Sequence, residues 1–148
     1  MNVMKNPLIF LLLIALIGCE TSSELTTEPL ILDGNDCDSC AKIHIEVPQV
    51  VDELKIAETI NRAIDEELIY FLKFEGNEAI SSVNEAIASF NTSYQDMIEE
   101  FGETASAWEA EVKGFIGYDT KQLVTVNLDT YSFTGGAHGY GARIYLNF

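Results

Sequence analysis

Two consecutive stretches of this chain carry an apolar residue at every third or fourth position, and this constrains the fold more than anything else in the sequence. The first runs from about Asp52 to Lys73, with Leu54, Ala57, Ile60, Ile64, Leu68 and Phe71 in step. The second runs from about Glu78 to Phe101, with Ile80, Val83, Ile87, Phe90, Tyr94, Met97 and Phe101 in step. A spacing of three and four residues gathers side chains into one stripe along a helix, so each stretch predicts an amphipathic helix that must cover something apolar. Asp52 is expected to cap the first helix and Asn77 the second, after the break at Gly76-Asn77. Gly102 stands where a C-terminal glycine closes a helix.

The cover comes from stretches with the other period. Ile43, Ile45 and Val47 alternate with Lys42, His44 and Glu46, predicting a half-buried strand that Pro48 ends. After the helices, Trp108, Ala110 and Val112 alternate with Glu109, Glu111 and Lys113. Val124, Val126 and Leu128 alternate with Thr125, Asn127 and Asp129, and a last alternating run extends from Tyr140 to Phe148. These three strands follow one another through short links, which suits antiparallel pairing. The expected fold class is α+β: two amphipathic helices packed on one face of an antiparallel sheet, in the order β-α-α-β-β-β. In the middle strand the apolar residues change phase after Leu128, to Tyr131 and Phe133. Either a bulge near Asp129-Thr130 or a partly covered far face of the sheet accounts for this.

The N-terminus bears on location. Lys5 is the only charge before a short apolar run from Leu8 to Ile17. That run is far below the roughly 20 residues needed to span a bilayer, and it reads as a signal peptide over residues 1–18. It ends in Leu16-Ile17-Gly18-Cys19, which resembles a bacterial lipobox. The resemblance implies acylation of Cys19 and attachment to the inner or outer membrane, with the domain facing the periplasm or the exterior. Residues 19–36, rich in Ser, Thr and acid, are expected to form a flexible tether, and residues 37–148 one α+β domain. The chain has 8 basic and 24 acidic residues, a net charge of −16. Such a charge repels nucleic acid and suits a cationic partner.

Candidates for chemistry are few. Cys37-Asp38-Ser39-Cys40 sits among acids, which oppose the depressed thiol pKa of a redox pair. With His44 the two cysteines supply at most three ligands, one fewer than a structural zinc requires. A local disulfide between Cys37 and Cys40 suits an exported protein better. The histidines, His44 and His138, fall on different strands, and no Gly-x-Ser-x-Gly is present. No catalytic set, metal or cofactor is therefore expected. The alternative is an envelope hydrolase, or an enzyme associated with deacetylation, with a site near His138. The stretch Thr134-Gly135-Gly136-Ala137-His138-Gly139-Tyr140-Gly141 admits two readings. Gly135 and Gly136 allow a tight reversal between strands. Gly139 and Gly141 suggest close approach of another backbone or a ligand. In the second reading Tyr131, Phe133, Gly135, Gly136, His138 and Tyr140 form a candidate binding surface.

The run from Tyr131 to Gly139, with Tyr145-Leu146-Asn147-Phe148 closing the next strand, resembles the domain that precedes the catalytic domain of PdaC-type peptidoglycan deacetylases. It is similar also to the extracytoplasmic region of RsiV-type anti-sigma factors, which sense lysozyme. The resemblance covers roughly Cys37 to Phe148 and implies a second α+β domain after this one. It does not carry over deacetylase or anti-sigma activity, because neither the catalytic domain nor a sigma-binding segment is in the sequence. It implies a binding role in the cell envelope, which the lipobox makes that of a lipid-anchored binding or sensing module, with peptidoglycan or another glycan, or a lysozyme-like cationic protein, as partner.

Overall fold

The computed structural model describes residues 25–34, 37, 40–74, 79–102 and 107–148. The signal peptide, Cys19, the start of the tether and Asn77 lie outside the described residues. The elements run β1 (Thr27–Asp33), β2 (Lys42–Val50), α1 (Lys55–Leu72), α2 (Val83–Phe101), β3 (Glu109–Asp119), β4 (Val124–Phe133) and β5 (Tyr140–Asn147). The fold is α+β, as the two apolar periods require, with one strand more than expected.

The five strands lie in the sheet in sequence order. β1 pairs antiparallel with β2, β3 with β4, and β4 with β5, whereas β2 and β3 are parallel, Lys42–Glu46 beside Glu109–Lys113. The parallel pair corrects the expectation of a wholly antiparallel sheet. It follows from the helix pair, because a connection long enough to hold two helices can carry the chain back to the end of the sheet at which β2 began.

β1 corrects the boundary of the tether. Residues 27–33 form an edge strand whose Leu30 and Leu32 pack against the core. Its entry is fixed by two carboxylates: Leu25 N–H donates to Asp119 Oδ2 at 2.6 Å and Thr26 N–H to Asp52 Oδ2 at 2.7 Å. Asp52 is thus a strand anchor and not the cap of α1, whose N-cap position is Leu54. Nor does Pro48 end β2; it lies opposite Pro29 of β1. The β2–β3 ladder stops at Glu46 and Lys113, so Pro48 withholds no donor from β3.

The core lies between the helices and one sheet face. Ala57, Ile60, Ile64, Leu68 and Leu72 of α1 are buried, as are Ala86, Phe90 and Tyr94 of α2. They meet Ile43, Ile45 and Val47 of β2, Ala110 and Val112 of β3, and Val126 and Leu128 of β4. Trp108 closes one end, its ring 5.2 Å from Phe74 and 5.6 Å from both Phe90 and Tyr94. Leu54 and Phe101, the outer members of the two expected stripes, are exposed beyond the sheet. α2 starts at Ser82, whose hydroxyl accepts from the Glu85 N–H while the Glu85 carboxylate accepts from the Ser81 N–H and hydroxyl. It ends as expected at Gly102, with φ of 80°.

The helices reach the sheet edge through two asparagines that the hydrophobic pattern does not flag. Asn61 of α1 accepts from the Val50 N–H at 2.9 Å and donates to the Val50 carbonyl at 2.8 Å. Asn91 of α2 accepts from the Ala41 N–H at 3.0 Å and donates to the Gly34 carbonyl at 3.1 Å. Each therefore satisfies two backbone groups at an end of β2.

The phase change in β4 is not a bulge. Its register against β3 and β5 is unbroken through Asp129 and Thr130. Thr130 continues the buried face, while Tyr131 and Phe133 lie with Asn127 on the far face. The irregularity falls instead in β3, between Ile116 and Tyr118. A Cβ at Gly117 would collide with the Asn127 amide, which fills the space a side chain would take.

Candidate functional site: the open face of the sheet

Because both helices pack on one face, the other face presents rows of side chains set by strand register. One row crosses all five strands: Asp33, His44, Glu111, Tyr131, Gly141. The next reads Ile31, Glu46, Lys113, Asp129, Arg143. Beyond it stand Phe115, Asn127 and Tyr145.

The second row alternates in charge from Glu46 to Arg143, so neighbours across strands attract. Arg143 holds Asp129 in a two-pronged pair, Nε at 2.5 Å from one oxygen and Nη2 at 2.7 Å from the other. Its guanidinium carbon also lies 5.9 Å from the centre of the Phe115 ring. That hydrogen bonding lowers the Asp129 pKa and raises that of Arg143. Lys113 sits 2.6 Å from Glu111, lowering the Glu111 pKa and raising its own. His44 Nδ1 lies 2.7 Å from Asp33. Among this order stand exposed apolar groups: Phe115 at 43%, Tyr131 at 39% and Tyr145 at 60% accessibility.

The residues singled out in sequence divide between faces. Tyr131 and Phe133 lie on the open face, and Tyr131 covers Gly139, where any Cβ would strike its ring and hydroxyl. Close approach is therefore real at Gly139, and the thing approaching is the chain's own tyrosine. At Gly141 a Cβ would make only ordinary contact, 3.5 Å from the Thr130 carbonyl. Gly135 and Gly136, with φ of 96° and 93°, turn the chain between β4 and β5. Tyr140 pairs with Ser132 and belongs to the opposite side. His138 is exposed, and its Nδ1 lies 3.2 Å from the Gly139 carbonyl. The expected six-residue surface is thus not one site: Tyr131 and Phe133 join the open face, and the loop supplies the reversal. Phe115, Arg143 and Tyr145 complete the face. They were legible only as strand residues, since their grouping depends on the pairing of β3, β4 and β5.

Two hollows break this face. One of about 310 Å³ is lined by Pro29, Glu46, Pro48 and Phe115, with Gly114 among its other lining residues. The other, of about 120 Å³, lies between Glu111, Lys113, Asp129 and Tyr131. Cys37 and Cys40, away from this face, are joined by a disulfide with Cα atoms 5.2 Å apart. Among the described residues no group of three or more His, Cys, Asp or Glu is placed to hold a metal ion. Nor is any described helix long and apolar enough to cross a membrane.

The family model for deacetylase PdaC matches residues 35–140, more than half of the chain. The chain belongs to the PdaC family. It is similar in fold to a DUF3298 family protein of Pseudomonas aeruginosa PAO1, with TM-score 0.59 and 21% identity over 86% of this chain and 52% of that one. A DUF3298 family member from Bacteroides fragilis gives TM-score 0.55 and 16% identity over 86% of this chain and 56% of the other. This PdaC-family chain spans about half the length of those solved proteins. No curated protein matches it.

Proposed function

We propose that this PdaC-family domain is a lipid-anchored binding or sensing module of the cell envelope, and that its ligand is a lysozyme-like cationic protein held on the open face of the sheet. The observation that carries the reading is the exposure of Phe115, Tyr131 and Tyr145 on a face neither helix covers. Aromatic residues and arginine are the usual anchors of protein interfaces, and here strand register fixes them rigidly. The net charge of −16 attracts a basic partner over long range. A glycan is the second candidate. The hollow beside Tyr131, about 120 Å³, lies well below the roughly 300 Å³ at which small-molecule pockets begin, and the one beside Phe115, about 310 Å³, only reaches that lower bound. A broad protein surface suits this shallow face better. The resemblance of Leu16-Ile17-Gly18-Cys19 to a lipobox supports placement at the membrane.

The test is a titration of the chain with lysozyme and with muropeptides, at low and at physiological salt. Lysozyme binding is expected, weakening as salt screens the charges. Tyr145→Ala and Phe115→Ala should each weaken it about tenfold, within the roughly 1–3 kcal/mol range of aromatic anchor truncations. Muropeptide binding that ignores salt, with no response to lysozyme, would transfer the proposal to the glycan. Silence from both ligands at low salt would end it.

A further inference from the structure

The two edges of the sheet are built differently. On β1, Pro29 lies opposite Pro48, and Glu28 and Asp33 flank the strand. Hydrogen bonds at its two ends, Gly34 N–H to the Ile43 carbonyl and Val51 N–H to the Thr26 carbonyl, place the inward-bonding β1 groups at even-numbered residues. Pro29 therefore occupies the outward side, where a missing N–H blunts an edge. β5, which reads YGARIYLN, lacks both the proline and the carboxylates, and its one charge, Arg143, is held by Asp129. Each of the other four strands carries at least one acidic residue, so β5 is the exception in a chain of 24 acids.

The free groups of β5 can be assigned. Val124 and Phe148 exchange both backbone hydrogen bonds, N–H to carbonyl in each direction. In an antiparallel ladder such pairs recur every second residue, so Ala142, Ile144 and Leu146 bond inward to β4. Gly141, Arg143, Tyr145 and Asn147 then turn their N–H and C=O groups outward. Among the described residues nothing pairs with them.

We propose that this edge pairs with the β5 of a second copy of the chain, antiparallel about a two-fold axis at Ile144, to make one ten-stranded sheet. The sequence of the edge selects this register. Centred on Ile144, Arg143 of each copy meets Tyr145 of the other and Gly141 meets Asn147, so all four outward residues of both strands are bonded. Centred on Arg143, two guanidinium groups would stand directly opposite, which is unfavourable. Centred on Tyr145, Gly141 would lose its partner. The absence of carboxylates on β5 lets two acidic chains meet here with the least local repulsion. On the inner face, Ala142, Ile144 and Leu146 are half-buried in one copy. Across the axis Ile144 meets itself and Ala142 meets Leu146, so the two apolar faces continue into each other. A two-fold interface of this kind is self-complementary and closes, as an open edge must if it is not to propagate.

The pairing at the axis is of the non-hydrogen-bonded type, with Cα atoms about 4.5 Å apart, within the range a disulfide spans. Ile144→Cys in the whole chain, produced in a bacterial envelope and oxidised at physiological salt, should migrate on a non-reducing gel mainly at twice the chain mass and revert on reduction. Leu146→Cys faces Ala142 and not itself, so it should remain at the wild-type background. Adding Tyr145→Lys to Ile144→Cys sets a second cation opposite Arg143, leaves the β4 ladder intact, and should cut the cross-linked fraction at least tenfold. Equal cross-linking of Ile144→Cys and Leu146→Cys, or none above background in either, overturns the proposal. So does cross-linking that Tyr145→Lys leaves unchanged. The inference is independent of the ligand reading, because it uses the edge of β5 and a readout without ligand.

Discussion

At Gly139 the absence of a side chain has a single structural beneficiary, the ring of Tyr131 that lies over it. The φ of Gly139 is not in the left-handed region, so the requirement is one of space and not of backbone conformation. Gly139→Ala should therefore push the exposed Tyr131 ring aside and destabilise the domain by about 1 kcal/mol, the low end of the cost of forcing extra volume into a contact. Tyr131→Ala removes the obstacle, so the double variant should lose less than the sum of the two single ones. Urea unfolding of the four proteins measures the coupling. Strict additivity would show that Tyr131 does not rest on Gly139 in solution. This pair also shows where sequence reading reaches its limit at this scale. The density of glycines around His138 marked the turn and one close approach, but the identity of the approaching group depends on the pleat of β4. The same density suggested a role for His138 that its exposed position and its contact with the adjacent Gly139 carbonyl do not extend.

Among the elements, those with a long period were legible and those defined by their neighbours were not. The stripes of α1 and α2 and the alternation of β2 to β5 gave type and order correctly, because each face was set by burial against one core. β1 was hidden because its Leu30 and Leu32 lie in a segment of Ser, Thr and acid, and an edge strand needs only one partner. The direction of the β2–β3 pairing was also hidden, since alternation is identical in parallel and antiparallel strands. The two asparagines connect these elements, and each offers a direct test. Asn61→Ala strands the N–H and C=O of Val50 and should cost about 1–3 kcal/mol, the penalty for unsatisfied groups in a partly buried place. Asn91→Ala strands the Ala41 N–H and the Gly34 carbonyl and should cost a similar amount. Hydrogen exchange should locate each loss: at the Val50 amide for Asn61→Ala, and at the Ala41 amide for Asn91→Ala. Uniform faster exchange across the domain in both variants would mean that these side chains add general stability and do not staple local strand ends.

For the whole molecule two electrostatic effects oppose each other as pH falls, and they separate by salt. The net charge of −16 at neutral pH makes the compact state repel itself, and this repulsion fades towards the isoelectric point near 4.2. Against this, the carboxyl pKa values of Glu85, Glu111 and Asp129 are lowered, by hydrogen bonds from Ser81, Lys113 and Arg143 respectively. A group whose pKa is lower folded than unfolded stabilises above its unfolded value and loses that contribution as pH falls through its folded value. The unfolded values are 4.5 for Glu85 and Glu111 and 3.8 for Asp129, so this loss belongs to the acid limb. Asp65, raised by burial, acts oppositely and gains stability on protonation, but among the described residues it is one group against three. The melting temperature should thus rise from about pH 8 to about pH 5 and fall again below about pH 4. Salt distinguishes the causes. At about pH 7, raising ionic strength from about 0.05 to 0.5 M should raise the melting temperature, because screening weakens repulsion between like charges. Near the isoelectric point the same salt should do little, since little net charge remains to screen. Glu85→Gln, which removes the titrating group beside Ser81, should flatten the acid limb and leave the response to salt at neutral pH nearly intact. A melting temperature indifferent to salt at pH 7 would show instead that the acidic residues are spaced widely enough for water to have screened them already.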